Sequence, residues 1–131
     1  MVNKNKKDSV DNIIIPMAGL GVRFKKKNFD TIKPLIKIDH ECILEKSISN
    51  LPYATNKFII LKKEIYEKYS NLRKLIKKKD LKSLTLKNNT LGQADTCYKA
   101  KELIKPTDDL LIHSCDYILR FSKRNFSNLR N

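Results

Sequence analysis

Two glycines, an arginine and a lysine follow a run of isoleucines near the start of the chain, in the order I-I-I-P-M-A-G-L-G-V-R-F and then K-P-L. Gly19 and Gly21 lack Cβ atoms, so the backbone there can adopt positive φ and direct N–H groups at a phosphate. Arg23 offers a planar charged fork and Lys33 a mobile point charge. Pro34 biases Lys33 towards an extended backbone. These residue types predict a phosphate-binding site after a strand.

Two better-known phosphate motifs do not fit this segment. A dinucleotide fingerprint needs a third glycine where Phe24 stands, and a P-loop needs G-K-[ST] after four intervening residues. We therefore expect a different triphosphate loop, in which the backbone contacts come from Ala18, Gly19, Leu20 and Gly21. The alternative is an ordinary tight turn after a strand.

A carboxylate follows a later apolar run. Asp116 comes directly after L-L-I-H-S-C, at the carboxyl end of a predicted strand, where ligands of open parallel sheets collect. Mg²⁺ prefers one or two protein carboxylates with phosphate and water oxygens, so Asp116 is a candidate magnesium ligand. The alternative is an acid that caps a turn. Asp108 and Asp109 precede the strand and are expected at the opposite edge, as solvated or capping residues.

A third candidate segment has the sequence L-G-Q-A. Gly92 permits close approach of a ligand to the backbone, and the amide of Gln93 can bind a base edge or a ribose. The alternative is an ordinary helix start.

A sheet is needed to bring these segments together, and the hydrophobic pattern of the sequence predicts one. Strands are predicted at Asn12–Met17, Lys57–Lys62 and Leu81–Leu86 and at L-L-I-H-S-C-D, and helices at about 42–51, 65–76 and 94–104. Strands alternating with helices indicate an α/β fold, a three-layer, Rossmann-like α/β/α arrangement with a mainly parallel sheet. We expect a mobile leader at 1–11, a nucleotide-binding domain at 12–119 and a tail of uncertain structure at 120–131.

The pattern G-x-G-x-R followed by K-P-L, with G-Q-A and C-D further along, resembles the N-terminal portion of the nucleotidyltransferases that make nucleotide sugars. The resemblance implies an enzyme that joins a nucleoside triphosphate to a sugar 1-phosphate, or a similar small phosphate, and releases pyrophosphate. It implies catalytic roles for Arg23 and Lys33, Mg²⁺ on Asp116, and nucleoside contacts from Gly92 and Gln93.

The chain departs from the family pattern after Asp116. Family members continue with sugar-binding strands and a second acidic metal ligand, for which the next fifteen residues offer no counterpart. The resemblance thus leaves open a fold truncated at its C-terminus, and a nucleotide-binding or regulatory module that is catalytically incomplete.

Composition supplies a competing hypothesis and several exclusions. The net charge of +14 is typical of nucleic-acid binding, yet the lysines are dispersed and lack interleaved aromatics, so a basic nucleic-acid-binding protein ranks behind both nucleotide hypotheses. The length of 131 residues favours one domain. No apolar run approaches membrane-spanning length and no signal peptide is visible, which predicts a cytoplasmic protein.

The cysteines and histidines offer no metal chemistry. Cys42, Cys97 and Cys115 are widely spaced and odd in number, which predicts free thiols, and neither His40 nor His113 has metal-ligand spacing. The sequence does not specify the base, the phosphate acceptor or the oligomeric state.

Overall fold

The computed structural model describes residues 8–19, 30–120 and 122–130. The strands are β1 (Ser9–Met17), β2 (Lys37–Ile38), β3 (Glu41–Cys42), β4 (Tyr53–Lys62), β5 (Lys82–Leu86) and β6 (Leu110–Ile112). The helices are α1 (Ile43–Ser49), α2 (Lys63–Lys68), α3 (Ser70–Lys78), α4 (Gln93–Tyr98) and α5 (Lys123–Leu129), with short 3₁₀ turns at Lys33–Leu35 and Lys101–Leu103.

Four parallel strands form the main sheet, in the spatial order β5–β4–β1–β6. The first strand therefore lies inside the sheet, with β4 on one side and β6 on the other. Successive strands extend one way from β1 as far as β5, and the chain then crosses back to place β6 on the opposite side. Such a reversal opens a crevice at the carboxyl ends of the two strands that flank it, here β1 and β6.

Apolar side chains project from both faces of this sheet because its two central strands each contain an unbroken apolar run, Ile13–Ile15 in β1 and Phe58–Leu61 in β4. On one face, Ile13 and Ile15 join a core with Ile59, Leu61 and Leu72, which α1 and α3 cover. A smaller core lies on the other face, beneath α4 and the 3₁₀ turn after it, and comprises Ile14, Ile60 and Ala100 with partly buried Leu84, Leu86, Cys97 and Ile104. Helices on both faces of a parallel sheet confirm the three-layer α/β prediction.

The central strands begin earlier than predicted. β1 starts at Ser9 rather than Asn12, and β4 at Tyr53 rather than Lys57, because Ser9 pairs with Tyr53 at the head of the parallel ladder. Buried polar groups occupy this region. The Asn56 side-chain amide donates to Asn12 Oδ1 (3.0 Å), and Asn12 Nδ2 donates to Asp108 Oδ2 (2.8 Å).

The lysine-rich helix predicted over 65–76 is two helices. The chain breaks at Tyr69, whose backbone is extended (φ −105°, ψ 96°). The Arg73 guanidinium donates to the carbonyl oxygens of Tyr66 and Glu67, each at 2.6 Å, and so satisfies groups at the end of α2 that the break leaves without helical partners.

Two other elements differ from their predictions. The helix expected to reach Ile104 ends at Tyr98 and gives way to the 3₁₀ turn Lys101–Leu103. The last strand stops at Ile112, before the polar residues that follow it. The C-terminal segment contains α5, whose N-cap Ser122 accepts a hydrogen bond from the Asn125 amide (3.0 Å).

None of the helices in the described ranges is both long enough and apolar enough to cross a bilayer.

Candidate functional site

The carboxyl ends of β1 and β6 bring two predicted segments to one edge of the sheet. Ile14 pairs with Ile112, so the residues that follow each strand emerge side by side. After Ile112, the His113 backbone N–H still donates to the Ile14 carbonyl (2.9 Å), which extends the ladder by one bond. Asp116 follows in the turn after this bond, at the edge of the sheet where the strand order reverses.

Lys33 reaches this edge from a different part of the chain. It opens the 3₁₀ turn Lys33–Leu35, which is anchored by the buried side chains of Pro34 and Leu35. Its ammonium donates a hydrogen bond to Asp116 Oδ2 and forms an ion pair with that carboxylate. The two residues are 83 positions apart in sequence, so the fold itself brings them together.

A second donor fixes the Asp116 carboxylate. The Ser114 hydroxyl donates to Asp116 Oδ1 (2.6 Å), while Lys33 occupies Oδ2. These two hydrogen bonds, with that from Lys33 the stronger influence, hold the pKa of Asp116 below its ordinary value. Asp116 is therefore ionised at neutral pH, and its side chain remains 30% exposed beside a Lys33 side chain that is 44% exposed. Both charges are accessible to a ligand.

Buried polar groups lie in the same strand-end segment. His113 is 4% exposed, and burial lowers the pKa of its imidazole. Its Nε2 is the one buried side-chain nitrogen or oxygen without a hydrogen-bond partner in the described residues. The Ser47 hydroxyl lies 2.9 Å from the Leu44 carbonyl and 3.2 Å from the Cys115 carbonyl, which ties α1 to the chain just before Asp116.

The Cys115 thiol is protonated at neutral pH. Burial, with a smaller contribution from neighbouring Asp116, raises the pKa of the Cys115 thiol to about 12, so the thiolate is scarce at neutral pH. All three cysteines are free, as the sequence predicts.

The Gly92–Gln93 segment reaches the same edge by a longer route. β5 is two strands away from β1, yet Cys97 and Ala100, in α4 and just after it, pack against Ile14 of β1. The connection from β5 to α4 therefore crosses the carboxyl edge of the sheet. Gly92 stands at the end of that connection with φ +147°, a backbone conformation that favours glycine, and Gln93 is exposed.

The start of the glycine loop is open. Ala18 is buried at the end of β1, whereas Gly19 is exposed, and no heavy atom of the described residues comes within 4 Å of an ideal Cβ built at Gly19. A ligand could approach this backbone closely. The predicted site residues Leu20, Gly21 and Arg23 lie outside the described residues.

Two of the predicted side chains, Lys33 and Asp116, are thus in direct contact, and Gly19 and Gly92 stand at the same edge of the sheet. Sequence reasoning missed Ser114 and Ser47. A signal for Ser114 was present, because residues two apart in an extended segment point to the same side, and Ser114 stands two before Asp116.

Asp116 suits a magnesium ion. No group of three or more His, Cys, Asp and Glu side chains that could hold a metal occurs within the described ranges. Mg²⁺ needs no such cluster, since it binds through one or two carboxylates together with substrate phosphates and water. An ionised carboxylate with an accessible oxygen, beside a lysine that can bind phosphate, fits that chemistry.

The parallel sheet, its covered faces and its crevice define a three-layer, Rossmann-like α/β fold. Neither a protein-family model nor a curated protein matches the sequence. Among solved structures, the nucleoside-diphosphate-sugar pyrophosphorylase from Vibrio cholerae RC9 has a similar fold, with a TM-score of 0.61 and 19% sequence identity. The similarity covers 82% of this chain and 50% of that one, so this chain spans half the length of that structure. At this identity the likeness shows the fold alone.

Proposed function

We propose that the protein is a nucleotidyltransferase that joins a nucleoside triphosphate to a sugar 1-phosphate, or a similar small phosphate, and releases pyrophosphate. The observation that carries this proposal is the contact between Lys33 and Asp116 at the strand-order reversal. A cation able to bind phosphate and a carboxylate able to hold a metal meet there, at the edge of the sheet where the exposed Gly19 backbone also lies. A pyrophosphorylase of nucleoside-diphosphate sugars that shares the fold supports the same assignment.

The proposed reaction requires the protein to align the reactants and to stabilise their charges, and it forms no covalent intermediate with the protein. A phosphate oxygen of the acceptor attacks the α-phosphorus, the bond from that phosphorus to the bridging oxygen breaks, and pyrophosphate leaves with the bond's electron pair. Catalysis of such an in-line displacement comes from alignment and from stabilising charge on the transferring and leaving oxygens.

Each candidate residue has one task in this scheme. Lys33 would move from Asp116 to the α-phosphate or the incoming phosphate and offset its charge. Asp116 would hold Mg²⁺, which would supply positive charge that offsets the charge of the phosphates. The Gly19 backbone, with Gly21 and Arg23 from the sequence pattern, would bind the triphosphate tail, and Gly92–Gln93 the nucleoside.

A nucleotide-binding module without turnover is the second candidate. Asp116 is the one carboxylate that the described residues bring into contact with Lys33, and the chain spans half the length of the structure it resembles. Such a module would bind triphosphates with Mg²⁺ and release no pyrophosphate.

A thermal-shift series tests the proposed site first. A ligand that binds only the native state stabilises it by about 2.7 kcal/mol at a concentration of 100 Kd. We expect at least one nucleoside triphosphate with Mg²⁺ to raise Tm, and Lys33→Met to reduce that increase.

The matched control is Lys82→Met, which removes the same charge at the amino end of β5, where Lys82 donates to Asn56 Oδ1 (2.6 Å). If no triphosphate raises Tm, both nucleotide proposals fail. Pyrophosphate release with a panel of sugar 1-phosphates then separates the enzyme from the module.

A further inference from the structure

We propose that Thr96 is a positioning residue that holds the Gly92–Gln93 segment in place for the nucleoside. This inference rests on the proposed function, since it concerns how one part of the triphosphate site is held. Thr96 lies in α4, is 2% exposed and cannot itself meet a ligand at the surface.

Thr96 forms hydrogen bonds with two residues of the loop that precedes α4, Gly92 and Thr90. Its hydroxyl donates to the Gly92 carbonyl (2.9 Å), and its backbone N–H donates to the same oxygen (3.0 Å). Its Oγ1 also lies 2.7 Å from Thr90 Oγ1. A hydroxyl has one proton, and Thr96 gives that proton to Gly92, so Thr90 must be the donor in the second bond.

The neighbouring residue of α4 completes the set. Asp95 Oδ2 accepts a hydrogen bond from the Leu91 backbone N–H (2.9 Å). Residues 90, 91 and 92 are thus each tied to residue 95 or 96, and the ties end directly before Gln93. The side chain expected to contact the nucleoside therefore follows three successive residues that α4 holds, Leu91 and Gly92 through their backbones and Thr90 through its side chain.

Apolar packing contributes little to holding this loop. Leu91, its only large apolar residue, is 99% exposed. Gly92 adopts φ +147°, and no described heavy atom lies within 4 Å of an ideal Cβ at that residue, so nothing packs against that side of the backbone. The hydrogen bonds of Thr96 and Asp95 are the contacts through which α4 holds the three residues before Gln93.

In this arrangement the residues proposed to bind the nucleoside differ from those proposed to bind the phosphates. The triphosphate is assigned to Lys33, Asp116 and the Gly19 backbone, none of which bonds to Thr96 in the described residues. Loss of the Thr96 hydroxyl should therefore weaken binding of a nucleoside triphosphate and leave binding of inorganic tripolyphosphate unchanged.

The test measures both dissociation constants by calorimetry, with Mg²⁺, for the wild type and for Thr96→Val. Valine keeps the branched shape and volume and removes the hydroxyl. Loss of one hydrogen-bonded contact typically weakens binding about 3- to 10-fold, and we expect that change for the nucleoside triphosphate that the wild type binds most tightly. The tripolyphosphate constant should stay within about twofold of the wild-type value. Thr96→Ser, which restores a hydroxyl, should recover most of the nucleotide affinity.

Two further variants keep the test decisive. Thr90→Val removes the hydrogen bond between the Thr90 and Thr96 hydroxyls and keeps the bond from Thr96 to Gly92, so it should give the same selective loss to a smaller degree and replaces Thr96→Val if that variant fails to fold. Ser49→Ala removes a comparable bond from a hydroxyl to a helix carbonyl, to Lys46 O at 2.9 Å in α1, and should change neither constant.

The outcomes separate the inference from the function beneath it. If the wild type binds triphosphate and Thr96→Val, or Thr90→Val in its place, weakens both ligands equally or neither, the positioning role is wrong while the proposed function stands. If the wild type binds no nucleoside triphosphate at all, the proposed function fails and this inference fails with it.

Discussion

Replacing Asp116 with asparagine should change triphosphate binding in opposite directions with and without magnesium. Without metal, a triphosphate must compete with Asp116 for the Lys33 ammonium and lies near a negative charge. With metal, Asp116 in its proposed role holds Mg²⁺ and thereby contributes to triphosphate binding. Asparagine keeps the shape of the side chain, removes its charge and replaces one acceptor oxygen by an N–H donor, so one substitution tests both roles.

The metal-free effect follows from the exposure of the pair. The Lys33 and Asp116 side chains are 44% and 30% exposed, so water screens their attraction. Ion pairs this exposed contribute about 0.5–1 kcal/mol, so releasing Lys33 should tighten triphosphate binding in EDTA about 2- to 5-fold. In Mg²⁺, loss of the charged ligand should cost about 1.5–3 kcal/mol and weaken binding about 10- to 100-fold.

Competition against a fluorescent nucleotide, at fixed ionic strength in EDTA and in Mg²⁺, measures both changes. Asp109→Asn is the matched control, because Asp109 also pairs with a cation, Arg130, but lies before β6 at the opposite edge of the sheet. That control should alter either affinity less than about twofold, since distant surface charges are screened by salt. If Asp116→Asn weakens binding in EDTA, or leaves binding in Mg²⁺ unchanged, the assignment of the Lys33–Asp116 pair is wrong.

Three further perturbations follow from single residues. Lys33→Met should weaken Mg²⁺–triphosphate binding about tenfold through loss of a charge-assisted contact, whereas an equal loss in Lys82→Met would point to net charge instead. Burial lowers the pKa of His113, so the unfolded chain binds the extra proton more readily than the folded chain. The free energy of unfolding should therefore fall as the pH drops below about 6.5. In His113→Gln the urea midpoint should change less between about pH 7.5 and 5.5 than in the wild type. Equal slopes in both proteins would contradict that role. Gly92→Ala forces φ +147° on a residue with a side chain, which should cost about 1–3 kcal/mol of stability and lower Tm. Gly19→Ala is the control, because φ at Gly19 lies outside the positive region that favours glycine. Equal losses of stability in the two variants would show that the positive φ of Gly92 is not what requires glycine.

The sheet could be predicted because a run of consecutive isoleucines is stable only where both faces of a strand are buried. Ile13, Ile14 and Ile15 point alternately to two faces, and the fold buries all three between helices. The strand starts were missed because a polar residue, Asn12, is buried there. Its side chain accepts a hydrogen bond from Asn56 of β4 and donates one to Asp108, and a pattern of apolar residues cannot reveal those contacts.

Tertiary contacts also decided the break at Tyr69. Ile65, Tyr69 and Ile76 have the spacing of one continuous apolar stripe, which is why the sequence predicts one helix. Arg73 stabilises the break by binding carbonyls of the preceding helix, and such a contact has no local sequence signature.

In the candidate site too, some features could be predicted from the sequence and others depend on tertiary contacts. Asp116 and Lys33 were identifiable because a strand end and a proline fix where they stand in the chain. Their mutual contact could not be predicted, since 83 residues separate them and the strand order had to be known first. Thr96 was missed for a related reason. Its hydroxyl serves the loop before its own helix, whereas the helical pattern marks it only as a buried position.

Pyrophosphate release tests the central claim most directly. The account predicts release that requires Mg²⁺, a nucleoside triphosphate and a sugar 1-phosphate together, that falls at least about tenfold in Lys33→Met and Asp116→Asn, and that persists in Lys82→Met and Asp109→Asn. Pyrophosphate release that Lys33→Met and Asp116→Asn leave intact, or no release with any pair of substrates, would contradict it.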